Sequence, residues 1–185
     1  MKVIAISGIS GSGKTSLINQ LSKELFCDSL FFDDYVSGNT YPKAMELWLE
    51  TGIDFSAIKT PPLTEELQEL KNSTNRDYLF IEEPFGKCRK VMSSLIDNVV
   101  LLEPPMEVCL SRVITRHLNS SPSYSTESLA NYLNKYNDYL REIYIKVNDE
   151  VRQDSDLIIK STQQVEFISM QIQQWLKTLS SPTSI

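Results

Sequence analysis

The chain is short of the residues on which several protein classes depend. Among its 185 residues there are three Cys, one His and six Gly, and 18 Lys and Arg stand against 24 Asp and Glu, which leaves a net charge of −6. An acidic chain without a basic stripe would repel a phosphate backbone, so we expect neither nucleic acid nor an anionic membrane as a partner. No apolar run approaches the roughly 20 residues that a membrane-spanning helix needs.

The cysteines and the histidine exclude further kinds of site. Cys27, Cys88 and Cys109 are odd in number and far apart, which fits neither a disulfide framework nor a zinc site. Reduced thiols indicate a cytoplasmic protein. His117 has no evident partners for a metal cluster or a catalytic triad, so we expect a structural or solvated histidine.

What the chain does contain predicts a globular α/β protein. With 41% hydrophobic and 23% charged residues, the composition is ordinary for a folded chain, and its length predicts one domain over residues 1–179 with a flexible tail over residues 180–185. Apolar runs bounded by turn residues alternate with segments of helical spacing. Runs without polar alternation are typical of parallel strands covered on both faces, so we predict a three-layer fold with a five-stranded parallel sheet. The predicted strands are 2–7, 30–32, 78–81, 98–102 and 156–159, and the predicted helices are 14–26, 41–51, 63–73, 86–96, 105–118, 126–153 and 162–179.

An apolar stripe runs along the long predicted helix 126–153. Its members step by four and three residues, which is the spacing of one helix face. We interpret the stripe as a core-facing surface, with a homodimer seam as the alternative. The stripe consists of Leu129, Leu133, Tyr136, Leu140, Ile143 and Val147.

The most specific motif is segment 8–15, Gly-Ile-Ser-Gly-Ser-Gly-Lys-Thr, which has the phosphate-loop pattern. Glycines let successive backbone N–H groups turn toward phosphate oxygens, and the helix that follows adds its positive end. Lys14 is expected to reach the β- and γ-phosphates, and the Thr15 hydroxyl to ligate Mg²⁺. The motif predicts a nucleoside triphosphate site formed by Gly8, Ser10, Gly11, Ser12, Gly13, Lys14, Thr15 and Ser16.

Paired acids follow two of the predicted strands. Asp33-Asp34 closes the second strand and Glu82-Glu83 the third, and ligands of open α/β sheets bind at these strand ends. One carboxylate beside the γ-phosphate can accept the proton of an attacking hydroxyl, and another can hold Mg²⁺. We expect Asp33 to face the phosphate and Asp34 to point elsewhere. The alternative is that such acids only cap loops and helices.

Two arginines lie four residues apart on the predicted helix 105–118. Arg112 and Arg116 therefore share a helix face. They are either solvated or held over the triphosphate, where they would neutralise charge that develops during transfer. The Ser-rich break after them favours a lid at about 112–128 that excludes water.

The segment after the second strand supplies candidate substrate contacts. Asp54 could hold paired ribose hydroxyls, and Tyr35 or Trp48 could stack on a base or pyridine ring. The alternatives are core packing for Trp48 and a turn position after Gly52 for Asp54.

With these residues the chain resembles the P-loop nucleoside kinases of the uridine kinase and nicotinamide riboside kinase type. The resemblance rests on segment 8–15, Asp33-Asp34-Tyr35, Ile81-Glu82, the pattern Cys109, Arg112, Arg116, and segment 154–159 before the last helix. The chain differs from the family at Glu83-Pro84-Phe85, because the family usually has a glycine after the glutamate that ends this strand. The chain differs again in the insert 36–66, which does not align with a uridine site.

The resemblance implies the strand order 2-3-1-4-5 and an ATP- and Mg²⁺-dependent kinase whose acceptor is a hydroxyl of a small molecule, a nucleoside being expected. It further implies that Asp33 is the catalytic base, that Glu82 is the carboxylate on the magnesium side, and that Arg112 and Arg116 are lid cations.

Three other functions remain open at this point. One is a kinase of another small acceptor such as a sugar or pantothenate. Another is a non-catalytic nucleotide-binding module. The last is a GTPase-type switch, for which Asn134-Lys135-Tyr136-Asn137 offers only a partial guanine-reading motif placed inside a predicted helix.

Overall fold

Parallel strands form the centre of the computed structural model, which describes residues 1–73, 76–119 and 126–180. They make a five-stranded sheet in the order β2-β3-β1-β4-β5, with every pairing parallel. The predicted α/β class and strand order are confirmed. Parallel strands bring their carboxyl ends to one edge, so the residues that follow β1, β2, β3 and β4 meet there. The strands are β1 (Lys2–Ser7), β2 (Asp28–Leu30), β3 (Tyr78–Glu82), β4 (Asn98–Leu102) and β5 (Leu157–Ile159).

Helices cover both faces of this sheet. In β1, Val3 and Ala5 belong to one buried cluster, while Ile4 and Ile6 belong to another. The first cluster includes residues of α2, α3 and α7, and the second includes residues of α1 and α8, which gives the three predicted layers. The helices are α1 (Lys14–Leu25), α2 (Met45–Glu50), α3 (Pro61–Ser73), α4 (Lys90–Ser93), α5 (Met106–Asn119), α6 (Thr126–Lys135), α7 (Arg141–Gln153) and α8 (Val165–Ser180).

The second strand ends two residues earlier than predicted. β2 pairs with β3 only as far as Leu30, opposite Ile81. Phe31 is still extended, but Phe32 begins a turn of 3₁₀ helix, Phe32–Tyr35. The fully buried Phe32 side chain packs edge-on against Phe85 at 5.7 Å between ring centroids. The turn carries Asp33, so the chain leaves the sheet at the place where a functional carboxylate is predicted.

The predicted helix over 86–96 is wrong except at its centre. Gly86 has a φ of +53°, which right-handed helix excludes, and the carbonyls of Glu83 and Phe85 accept turn hydrogen bonds from Gly86 and Cys88. Helix α4 contains only Lys90–Ser93. Glycine and the preceding Pro84 break the helical pattern before it can propagate.

The long predicted helix 126–153 contains a turn of a different helix type. A π-helical segment, Tyr136–Leu140, separates α6 from α7. The core interpretation of the stripe is confirmed for its second half, because Ile143 and Val147 are buried in the first cluster. Leu129, Leu133 and Leu140 are half-buried, and the homodimer stays a prediction. Of the predicted lid 112–128, residues 120–125 lie outside the described residues, as do residues 181–185 of the predicted tail.

The cysteines are free thiols. Burial raises the pKa of Cys27 and of Cys88 to about 11, and it also raises the pKa of Cys109. Thiols with raised pKa values stay protonated and are poor nucleophiles. Within the described ranges, no helix has the length and apolar character needed to cross a membrane.

Candidate active site

Segment 8–13 forms a tight loop between β1 and α1. Gly11 has a φ of +82°, and a Cβ there would lie 2.2 Å from the carbonyl oxygen of Cys109 on α5. Gly8, at a φ of +134°, would bring its Cβ within 2.4 Å of the Leu102 carbonyl oxygen. Only glycine fits either place. The loop is therefore held against the end of β4 and the first turns of α5.

A cavity of about 580 Å³ opens in front of this loop. That volume lies within the range of small-molecule sites. Seven of the eight predicted nucleotide-binding residues line the cavity; Ser12 does not, since it is buried and its N–H donates to the Ile9 carbonyl. Because α1 begins at Lys14, the unpaired N–H groups and positive end of this helix face the same space.

The carboxylate of Glu82 lies between two residues of the loop. The Thr15 hydroxyl donates to Glu82 Oε2 at 3.0 Å, and Lys14 Nζ lies 3.5 Å from Glu82 Oε1. Lys14 Nζ also donates to the Ile9 carbonyl at 3.1 Å. A hydroxyl and a carboxylate at hydrogen-bonding distance are the oxygen donors that Mg²⁺ prefers. The structure thus brings together the two predicted metal ligands and the loop lysine.

Burial lowers the pKa of Lys14, and the negative charges of Glu82 and Asp33 oppose this shift. A cation in such a place is stabilised by negative groups close to it. Phosphate oxygens in the cavity would add negative charge at the same side chain. Among the described residues, no three of the types His, Cys, Asp and Glu are grouped as a metal site. Thr15 and Glu82 could supply two oxygen ligands to a metal ion.

The two aspartates after β2 differ in their position relative to the cavity. Both are exposed on the Phe32–Tyr35 turn, but Asp33 lines the cavity and Asp34 does not. The separation follows from the turn, because successive residues of a 3₁₀ helix point about 120° apart.

Both arginines of α5 reach the loop. Arg112 Nη1 donates to the Gly11 carbonyl at 3.3 Å and lies 3.5 Å from the Ser12 carbonyl. Arg116 Nη2 donates to Ser10 Oγ at 3.4 Å. Both side chains also line the cavity. Two guanidinium groups and the Lys14 ammonium therefore line the cavity together with the loop.

This geometry can be compared with known proteins. No protein-family model matches the chain. Curated relatives include uridine kinases of Staphylococcus aureus, such as that of strain JH9, with 24% identity over 182 residues that cover 85% of this chain and 86% of the relative.

Solved structures of similar shape cover almost the whole chain. Shikimate kinase from Acinetobacter baumannii, in complex with shikimate, has a TM-score of 0.62 at 17% identity and covers 98% of this chain and 96% of that one. A sugar kinase from Janibacter sp. HTCC2649 has a TM-score of 0.58 at 16% identity, covering 96% of this chain and 95% of that one. The chain has the P-loop kinase fold.

Within this P-loop kinase fold, the remaining wall of the cavity is mostly aromatic and apolar. Sequence reasoning found one member, Trp48, and missed the others. The sequence offered only a weak indication that they line a site, because aromatic residues in loops and on a helix face are usually core residues. Tyr139 and Leu140 lie in the π-helical segment, and such segments are frequent at functional sites. The members are Tyr41, Met45, Trp48, Pro84, Phe85, Tyr139, Leu140, Ile143, Tyr144 and Val147.

Trp48 is packed in the core and also lines the cavity. The indole is buried, its ring meets that of Phe55 edge-on at 6.4 Å, and its Nε1 donates to the Asp54 carbonyl at 2.9 Å. Nearby, burial first and then the charge of Asp33 raise the pKa of Tyr41 to about 12, so this phenol remains neutral.

Tyr35 and Asp54 lie outside the cavity lining. The Tyr35 hydroxyl donates to Glu66 Oε2 at 2.6 Å. The Asp54 carboxylate accepts bonds from Ser56 N at 2.9 Å and Ser56 Oγ at 2.7 Å, which lower its pKa and cap the 3₁₀ turn Phe55–Ala57. The structure therefore brings Asp33 and Trp48 to the site but not these two predicted substrate residues.

Proposed function

We propose that this protein transfers the γ-phosphoryl group of ATP to a hydroxyl of a small molecule, and that the acceptor is a nucleoside. One observation carries the proposal: a single cavity is lined by the phosphate loop, by Glu82 and Asp33, by two arginines and by a broad aromatic wall. This is the set of groups that phosphoryl transfer requires, placed beside room for an acceptor.

The donor end of the cavity suits a magnesium-bound triphosphate. The loop supplies backbone N–H groups and Lys14 for the phosphates, and Thr15 and Glu82 would hold Mg²⁺ with oxygens of the nucleotide. When bound, magnesium neutralises negative charge on the β- and γ-phosphates.

The reaction assigns one task to each remaining polar group. Asp33 orients the acceptor hydroxyl and takes its proton as the oxygen bonds to the γ-phosphorus, while the bond from that phosphorus to the β–γ bridging oxygen breaks and ADP leaves. Lys14, Arg112 and Arg116 neutralise charge that spreads over the transferring group and the leaving oxygen. Asp33 then returns its proton to water.

The aromatic wall supports the nucleoside assignment. Flat side chains such as Tyr41, Trp48, Phe85 and Tyr139 favour an acceptor with a planar ring, through stacked or edge-on contact. The likeness to curated uridine kinases at 24% identity points to the same class. Tyr35 and Asp54 are left out of this proposal because their polar atoms have partners elsewhere.

An acceptor panel tests the proposal. The protein is incubated with ATP and Mg²⁺ and with nucleosides, sugars, shikimate or pantothenate, and both ADP release and the mass of the product are measured. We expect a nucleoside monophosphate and little ADP without an acceptor. Transfer to a sugar or pantothenate alone would contradict the nucleoside assignment. ATP binding without transfer to any acceptor would favour a nucleotide-binding module, and rapid GTP hydrolysis without an acceptor would favour a switch.

A further inference from the structure

Arg89 lies at a buried junction between segments of the chain that lead to the candidate active site. The Arg89 side chain is 1% exposed and that of Glu83 is 0% exposed. Arg89 Nε donates to Glu83 Oε1 at 3.1 Å, and Nη2 donates to Glu83 Oε2. Its Nη1 donates to Thr60 Oγ1 at 2.9 Å, and its Cζ lies 5.4 Å from the centroid of the Phe32 ring. The guanidinium thus contacts three separate segments of the chain.

A buried ion pair of this kind is a poor source of stability. Removing two charges from water is costly, and a protein in which apolar residues of similar volume replace such a pair is often equally or more stable. Burial raises the pKa of Glu83, and Arg89 opposes that shift. The role of the Arg89–Glu83 pair is therefore better explained by the segments that it holds in position than by stability.

Each of the three contacts leads to part of the proposed active site. Glu83 directly follows Glu82, and its backbone is held by the Ser7 hydroxyl, which donates to its carbonyl at 2.7 Å. Phe32 directly precedes Asp33 and begins the turn that carries it. Thr60 ends the segment 36–60, which contains Tyr41 and Trp48 of the aromatic wall.

We propose that Arg89 is a positioning residue that, paired with Glu83, sets the Asp33 turn relative to Glu82 and so aligns the base with the phosphoryl group. The pair anchors to the central sheet through Glu83, which follows β3, and the guanidinium packs over the Phe32 ring. Neither side chain lines the cavity, so Arg89 acts on transfer indirectly, through the position of Asp33 in this proposal. This inference rests on the proposed function.

The paired variant Glu83→Leu with Arg89→Met tests it, because both charges are removed together and no buried charge is left alone. We expect unfolding stability close to that of the wild type, KM for ATP within about threefold, and kcat lower by about tenfold to a hundredfold, the cost of a misplacement of about 1 Å.

A matched control is Glu103→Leu with Arg152→Met, which removes an ion pair at the end of β4 that does not line the cavity. Its kcat should stay within about twofold of the wild type. A stable E83L/R89M protein with wild-type kcat would overturn the proposal.

A second variant covers the case in which the paired variant does not fold. Phe32→Leu keeps the ion pair and removes the ring beneath the guanidinium. We expect kcat to fall several-fold with an unchanged KM for ATP, and an unchanged kcat would overturn the proposal.

Crystal structures of the wild type and E83L/R89M give a readout that needs no acceptor. We expect the Asp33 carboxylate to shift relative to Glu82 by more than about 0.5 Å, the tolerance of a productive site. An unmoved Asp33 would contradict the inference even if transfer is slow. If the wild type phosphorylates no acceptor, the proposed function fails, while the position of Asp33 in the two structures still decides whether Arg89 sets it.

Discussion

The two ends of the cavity are built in different ways. At the phosphate end, one continuous segment from Gly8 to Ser16 supplies most of the lining, and Glu82, Arg112 and Arg116 are added to it. At the aromatic end, two or three lining residues come from each of four places: segment 36–60, the loop after β3, the π-helical segment and α7. Backbone N–H groups can bind a triphosphate from a short loop, whereas the shape of a particular acceptor requires side chains from several elements.

The largest effect is expected at the phosphate end, for Lys14→Ala. This change removes a buried cation that lines the cavity and that the proposed function places at the β–γ bridge. Loss of one charge-assisted contact costs about 1.5–3 kcal/mol of binding, with more lost in the transition state. Titration with ATP and steady-state kinetics should show weaker binding and a fall in kcat/KM of more than about a hundredfold. Lys23→Ala, at an exposed position of the same helix, is the control. Normal ATP turnover by the Lys14 variant would show that the loop is not the site.

The next effect distinguishes the two aspartates of the Phe32–Tyr35 turn. Asp33→Asn should keep ATP affinity within about threefold, a change of roughly 0.7 kcal/mol at most, while kcat with a true acceptor falls about a hundredfold or more, since general-base catalysis is worth about 10²–10⁴. Asp34→Asn should change kcat much less, because Asp34 does not line the cavity. If the Asp34 variant were the inactive one, the assignment within the pair would be reversed.

A smaller effect is expected at the aromatic end, for Tyr139→Ala. Loss of a ring contact worth about 0.5–1.5 kcal/mol should raise KM for the acceptor by about two- to tenfold, with KM for ATP unchanged. Tyr35→Phe, which removes only the hydroxyl bonded to Glu66, is the control and should leave both constants unchanged. An equal rise in both KM values for Y139A would show that the two ends of the cavity do not act separately.

The smallest effect is expected for Asp54→Ala, which affects stability alone. The Asp54 carboxylate caps a 3₁₀ turn, and its hydrogen bonds with Ser56 lower its pKa below the ordinary 3.8. A carboxylate whose pKa is lowered by folding stabilises the folded protein at pH values above its ordinary pKa. This contribution is lost as the pH falls through the lowered pKa. Unfolding midpoints should therefore differ slightly at pH 7 and converge in more acidic solution. If the Asp54→Ala variant instead had a raised KM for a nucleoside, Asp54 would belong to the acceptor site.

Part of the site was predictable because the pattern lies within a few residues. The phosphate loop, the acids after β2 and β3, and the two arginines four apart on α5 all follow from local spacing and from the rule that parallel strands end together. The errors occurred where a tertiary contact or a local turn overrides the apolar spacing. Phe32 continues an apolar run but packs against Phe85 and Arg89 instead of pairing with β3, and Gly86 adopts a backbone conformation that interrupts the predicted helix.

The sequence alone determined the sheet with its covering helices and the phosphate end of the cavity, because hydrophobic periodicity and a glycine pattern act over short distances along the chain. Only the tertiary structure decided the aromatic wall and the partner of Glu83. Arg89 is six residues from Glu83 and Thr60 is 29 residues from Arg89, and nothing in their local spacing predicts a shared hydrogen-bond network. Their juxtaposition arises when the sheet and helices pack, since burial then requires each charged group to find its partner.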